Sequence, residues 1–120
     1  MTSNYVLSTI GAMQVDIQPG NKAFSYHYHE GCEELFYIVR GKGSIRTVDG
    51  DIEVKEGDFI SFPTGEENAH VICNTSEDEL LTYINFHRVS NIDVGYFPER
   101  KQVMILDKKG MNFYQWEPDQ

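Results

Sequence analysis

The residues best equipped for chemistry gather in one stretch, SYHYHEGCEELFYIVRGKG, residues 25–43. Of four histidines in the chain, His27 and His29 stand either side of a tyrosine there, with Glu33 and Glu34 close behind. In an extended strand, side chains at i and i+2 leave the same face, roughly 6.6–6.8 Å apart along the backbone. Both imidazoles can therefore lean onto one ion while Tyr28 faces the other way. Two neutral imidazoles suit Zn, Fe, Ni, Cu or Mn, and a stable site asks for more ligands, often a carboxylate that offsets the cation's charge. Across the Glu30-Gly31-Cys32 reversal, Glu33 and Glu34 both lie within reach. Alternation alone does not choose between them: Glu34 shares a face with Phe36 and Ile38, Glu33 with Leu35 and Tyr37. His70 is a further candidate, because a β-barrel brings distant strands side by side.

The elements that must position these groups are strands. Glycine and aspartate punctuate short runs of two-residue alternation, and no window of a dozen residues keeps apolar positions at helical spacing. Strands are predicted at 15–17, 23–29 and 35–39, the last an apolar run suited to burial on both faces. Residues 44–48 and 52–55 flank Asp49-Gly50, whose glycine supplies the positive φ of a tight hairpin, so these two strands should pair. Further strands are predicted at 59–62 and 70–73, separated by Pro63-Thr64-Gly65, with Asn74 to Glu79 as a polar loop. One long strand is expected over 80–89. There Thr82, Ile84 and Phe86 read as the inward set, leaving His87 outside with Tyr83 and Asn85. Alternation fades from Asn91 to Arg100, and 103–106 is the final strand. The tail MNFYQWEPDQ should lay its aromatic side chains on the body and fray at its end. Many short strands with frequent turns fit a sandwich or a barrel.

The totals bound the function. A chain of 120 residues fits one domain over 1–120. Cys32 and Cys73 lack CxxC spacing and suit free thiols in a reducing compartment. Cys32, beside the candidate ligands, reads as a small buried hydrophobe rather than a ligand. The first ten residues, MTSNYVLSTI, carry neither a basic region nor a sustained apolar segment, and no apolar run reaches the roughly 18 residues of a membrane span. A soluble, cytoplasmic protein with no membrane partner is expected. The formal charge of −9 opposes a phosphate backbone and leaves no basic stripe, so nucleic acid is not an expected partner.

Taken together, these residues resemble the cupin family. The first cupin motif, G-x5-H-x-H-x3,4-E-x6-G, is met by His27-Tyr28-His29, four intervening residues, Glu34, six more, and Gly41. At its front six residues, not five, separate Gly20 from His27. The second motif, G-x5-P-x-G-x2-H-x3-N, is met by Gly57, Pro63-Thr64-Gly65, His70 and Asn74, with the four residues EENA where the pattern has two. Both motifs in order, either side of the Asp49-Gly50 hairpin, form a specific signal across residues 20–74.

The resemblance implies an all-β, jelly-roll β-barrel of two antiparallel sheets, and one divalent transition metal (Zn, Fe, Mn or Ni) held by His27, His29, Glu34 and His70. It also resolves the carboxylate in favour of Glu34. Four such ligands leave open positions at an octahedral ion, where a small oxygenated molecule can bind. The expected function is a small metalloenzyme of isomerase or dioxygenase type, similar to the sugar-phosphate isomerase barrels. The alternatives are a non-catalytic sugar or metabolite binding module and a structural barrel with a stabilising metal. No acid or base for catalysis is named by the sequence. Phe36 and Phe62 are candidates for lining the small-molecule pocket. Leu35, Tyr37 and Val39, apolar on the face away from the metal, need cover, and since cupins are commonly dimers a homodimer is expected.

Overall fold

The computed structural model describes residues 2–6, 9–88 and 90–117. Its strands are β1 (Thr2–Val6), β2 (Ile10–Ile17), β3 (Lys22–His29), β4 (Glu34–Arg40), β5 (Lys42–Thr47), β6 (Gly50–Lys55), β7 (Phe59–Phe62), β8 (His70–Cys73), β9 (Leu81–Arg88), β10 (Asp93–Phe97), β11 (Gln102–Asp107) and β12 (Gly110–Gln115). They form a five-stranded sheet ordered β1-β2-β9-β4-β7 and a seven-stranded sheet ordered β12-β11-β10-β3-β8-β5-β6. Every pairing is antiparallel. The fold is the expected all-β jelly roll.

The two sheets close on one apolar core, to which both contribute by strand alternation. Val15, Ile17, Phe36, Ile38, Phe62, Leu81 and Tyr83 come from the five-stranded sheet, and Ala23, Ile45, Val54 and Ile72 from the other. The hairpin predicted around Asp49-Gly50 joins β5 to β6, with Gly50 at φ 114°. Between Ala23 and His27 the register of β3 against β8 shifts, and within this bulge Phe24 holds φ 62°, an outlier for a bulky side chain. Bulges of this kind re-aim side chains near functional sites. Here the bulge sets His27 opposite His70.

Several expectations needed correction. In β9 the inward set is Leu81, Tyr83 and Asn85; Leu81 and Tyr83 are fully buried in the core, while the Thr82 hydroxyl donates to Asp16 at 2.8 Å on the other side. The parity reading placed the more apolar triplet inside, and it failed because the inward polar positions serve the site. The strand 35–39 is buried on one face only, since Leu35 is exposed and Tyr37 and Val39 are half-buried. Strand β10 lies inside the stretch taken to lose alternation, and the tail forms β12. β10 alternates in burial, but its buried positions are Asp93 and Gly95 rather than apolar side chains, and β12 is exposed along most of its length. β1 was not anticipated at all. Residue 89, the predicted end of the long strand, and residues 118–120, where fraying was expected, lie outside the described residues.

Candidate metal centre

His27 and His29 occupy the end of β3, Glu34 opens β4, and His70 opens β8 next to β3. Alternation sends both β3 imidazoles inward, while Tyr28 stacks on Tyr96 outside at 5.0 Å between ring centroids. The rings of His27 and His29 are 4.9 Å apart, and those of His27 and His70 are 5.0 Å apart. One ligating atom from each of His27, His29 and Glu34 lies within 4.8 Å of the others. His70 falls outside that tight set, yet its Nε2 is 3.2 Å from Glu34 Oε1, and His29 Nε2 is 3.7 Å from the same oxygen.

Each imidazole is held from behind. Nδ1 of His27 donates to the Ser25 carbonyl at 2.6 Å, and Nδ1 of His70 donates to the Asn68 carbonyl at 2.8 Å. A carbonyl only accepts, so the proton sits on Nδ1 in both rings and Nε2 keeps its lone pair for an electrophile. His29 Nδ1 is 2.6 Å from Asp93 Oδ2, the same arrangement with a carboxylate as acceptor. Glu34 is braced as well, because the Asn85 amide donates to its Oε2 at 2.7 Å. That bond orients the Asn85 side chain, since only its NH2 can donate to a carboxylate.

The polar atoms left over test whether a cation fits. Glu34 Oε1 and His70 Nε2 are both buried and have no hydrogen-bond partner. Two lone pairs facing each other at 3.2 Å repel, unless a proton or a positive ion is shared between them. Three imidazole nitrogens and one carboxylate oxygen gathered in this way, with Glu34 Oε1 and His70 Nε2 sealed from solvent, match the donor set that first-row divalent ions prefer. The donors fit such an ion.

Electrostatics follow the geometry. Burial, aided by the neighbouring His29 and His70, pushes His27 down to about 4, so it is neutral and available as a ligand at neutral pH. For His29 burial acts downward, but the Asp93 hydrogen bond and the Glu34 charge prevail and raise its pKa. Burial would raise Glu34, yet the close approach of His70 and the electrostatic influence of His29, His70 and His27 outweigh it and bring it to about 2. Glu34 is thus ionised across the whole physiological range.

Phe36 and Phe62, expected to line a pocket, belong to the core behind His70. Phe62 stacks on the His70 ring at 3.6 Å between centroids, and Phe36 meets it edge-on at 5.7 Å. They fix the orientation of His70 by packing. His87 shares the inward parity of Asn85 and lies over Gly11, where an added Cβ would come within 2.3 Å of its Nε2. Cys32 is half-buried with its thiol 3.5 Å from the Ser90 hydroxyl, burial raises its pKa, and both cysteines are free. The motif residue Asn74 is a brace: its amide donates to the carbonyls of Ile17 and Glu79, and its oxygen accepts from Ser76 N–H. Sequence reasoning missed Asp93 and Asn85. Asp93 lies beyond both motifs, and Asn85 carried the wrong parity.

Residues 13–85 match the cupin domain family, and the chain belongs to that family. An oxalate-binding protein of Thermotoga maritima is 34% identical over 62 residues, covering 52% of this chain and 50% of its own. The matched region thus spans about half the length of that relative. Among solved structures, a sugar phosphate isomerase of the cupin superfamily from Silicibacter pomeroyi superposes with a TM-score of 0.85 at 24% identity, over 95% of this chain and 75% of the other. A predicted oxalate decarboxylase from Thermotoga maritima gives 0.61 at 23% identity, over 74% and 79%. At these identities the structural likeness speaks to the fold.

Proposed function

We propose that this cupin holds one divalent transition metal through His27, His29, Glu34 and His70 and binds a small, oxygen-rich molecule there, acting as a metalloenzyme of isomerase or dioxygenase type. The observation that supports it most is the common orientation of the donors. The Nδ1 atoms of all three histidines are engaged from behind, and Glu34 keeps one oxygen tied to Asn85 and the other free. A bound divalent ion would supply Lewis acidity, polarising an oxygen of the ligand. With three neutral imidazoles and one carboxylate, the cluster would carry about one positive charge, which favours an anionic or oxygen-rich ligand despite the acidic chain.

The chain's own residues do the rest. His27 and His70 stay in the Nδ1–H tautomer because backbone carbonyls hold them there. Phe62 and Phe36 exclude water from one side of His70, and Asn85 keeps the Glu34 carboxylate from turning. Tyr83, raised in pKa by burial, remains a neutral phenol at the core side of the site. A second reading, a binding module without catalysis, is favoured by the name of the curated relative, an oxalate-binding protein. Thermal-shift screening of dicarboxylates and sugar phosphates against metal-loaded protein, followed by product analysis of each ligand found, tests both. A ligand recovered unchanged supports the binding module, and a converted one supports the enzyme.

We further propose that residues 1–120 act as one cupin domain, in the cytoplasm, as a homodimer. No helix among the described residues is long and apolar enough to cross a membrane. The dimer reading rests on the outer face of the five-stranded sheet, where Ile10, Leu35 and Phe59 are exposed and the Tyr37 ring lies 4.6 Å from that of Phe59. A cleft of about 420 Å3 is lined by Ile10, Leu35 and Phe86 together with Thr9, Glu33, His87 and Arg88, and contains none of the four candidate ligands.

A further inference from the structure

We infer that Asp93 is a positioning residue of the metal centre, a buried carboxylate that fixes His29 and the loop leading to Glu34 so that both present their donor atoms to the same ion. The inference rests on the metal reading above. Asp93 opens β10, outside the region matched to the cupin family and outside both motifs. It is 3% exposed. Its two oxygens do different work: Oδ2 lies 2.6 Å from His29 Nδ1, and Oδ1 accepts the Gly31 N–H at 3.0 Å. Gly31 belongs to the short loop that separates His29 from Glu34. One side chain therefore clamps a ligand and the connection to the next.

The loop is fitted to this carboxylate. A Cβ on Gly31 would come within 2.9 Å of Asp93 Oδ1 and 3.0 Å of the Ile92 carbonyl, so the backbone approaches as closely as it does only because residue 31 has no side chain. β10 is itself anchored here, pairing Gly95 with His29 and accepting the Glu30 N–H on the Val94 carbonyl at 2.8 Å. A carboxylate buried this deeply is costly unless it is matched by hydrogen bonds and positive charge. None of the donors facing it, His29, Gly31 N–H and the Cys32 thiol, is a fixed cation. An ion on the far nitrogen of His29 would provide the missing charge through the ring. In turn the carboxylate fixes the His29 tautomer and increases the basicity of its Nε2, as outer carboxylates do for metal-bound histidines generally.

Full-length wild-type protein and Asp93→Asn are stripped with chelator, and Zn2+ affinity is measured by competition with a chromophoric chelator. Circular dichroism and the Tm of the metal-free proteins serve as the fold control, and Co2+ absorption reports ligand geometry. The expected result is a folded variant whose Zn2+ Kd rises about 10–100-fold, with altered Co2+ bands. A folded variant with Kd within twofold of wild type and an unchanged Co2+ spectrum overturns the inference while leaving the metal centre intact. Wild-type protein that takes up no metal overturns the metal reading and this inference with it. If Asp93→Asn does not fold, 15N-resolved NMR of Zn2+-loaded wild-type protein decides. A proton retained on His29 Nδ1, with Nε2 as the metal-bound nitrogen, supports the inference, and metal on Nδ1 overturns it.

Discussion

Glu34 Oε1 and His70 Nε2 face each other at 3.2 Å, both sealed from solvent and neither in a hydrogen bond. Without an ion, two buried lone pairs at this distance repel and the contact is costly. With an ion, both lone pairs are used. Glu34→Gln removes the charge while nearly preserving shape. It should abolish most of the metal-induced rise in Tm, a stabilisation of about 2.7 kcal/mol when free metal is 100-fold above Kd. Differential scanning calorimetry with and without metal checks this, and a variant that gains as much from metal as wild type contradicts it.

Asn85 does for Glu34 what Asp93 does for His29. Asn85→Ala leaves the buried Glu34 Oε2 without its donor at 2.7 Å. Leaving a buried charged acceptor unsatisfied costs about 1–3 kcal/mol, so denaturant unfolding of the metal-free variant should show a loss in that range. Metal affinity should also fall, because the carboxylate is free to rotate. Unchanged stability in the variant would mean that solvent reaches Glu34 directly.

Acid should destabilise the metal-free protein in a definite window. His27 is held at about 4 against an ordinary 6.5, chiefly by burial, and Glu34 at about 2 against 4.5. Both folded-state values lie below the unfolded ones, so the unfolded chain binds more protons and stability rises with pH across these ranges. His29 works in the opposite sense: its pKa is raised, and its contribution is complete below 6.5 and lost as pH climbs through the folded value. The His27 effect amounts to about 3 kcal/mol between pH 6.5 and 4. His27→Gln should flatten the plot of stability against pH there while leaving the loss below pH 4.5 that belongs to Glu34. An unaltered slope between pH 4 and 6.5 would contradict the burial of a neutral His27.

The outer face of the five-stranded sheet makes a separate prediction. Phe59 is 64% exposed and Ile10 55%, beside Leu35 in the same sheet. Sedimentation should find wild type as a dimer, and Leu35→Glu with Phe59→Glu should give a folded monomer that still binds metal. A wild-type protein that remains monomeric at high concentration counts against the dimer.

Much of the candidate site's geometry was legible in the sequence because side chains on strands obey simple spacing. His27-x-His29 required only the two-residue period of a strand, and Glu34 and His70 followed from motif resemblance. What escaped was less periodic. Asp93 follows a loop and precedes Gly95, so no alternation marked its strand, and its role emerges only when β10 pairs with β3. Asn85 was placed outside because parity was judged by hydrophobicity, and in β9 the outward Ile84 and Phe86 are more apolar than the inward Asn85 and His87. Phe36 and Phe62 illustrate the same limit from the other side: aromatic residues near a ligand position served as its packing, a distinction that composition does not carry.

The most direct test is the metal content of protein purified without chelator, measured by elemental analysis for wild type and His27→Ala in parallel. Wild type should carry close to one transition-metal ion per chain, and the variant, shown to be folded, a small fraction of that. Equal content in the two proteins, or none in wild type even after incubation with Zn2+, Mn2+, Fe2+ and Ni2+, would contradict the assignment of these four residues to a metal.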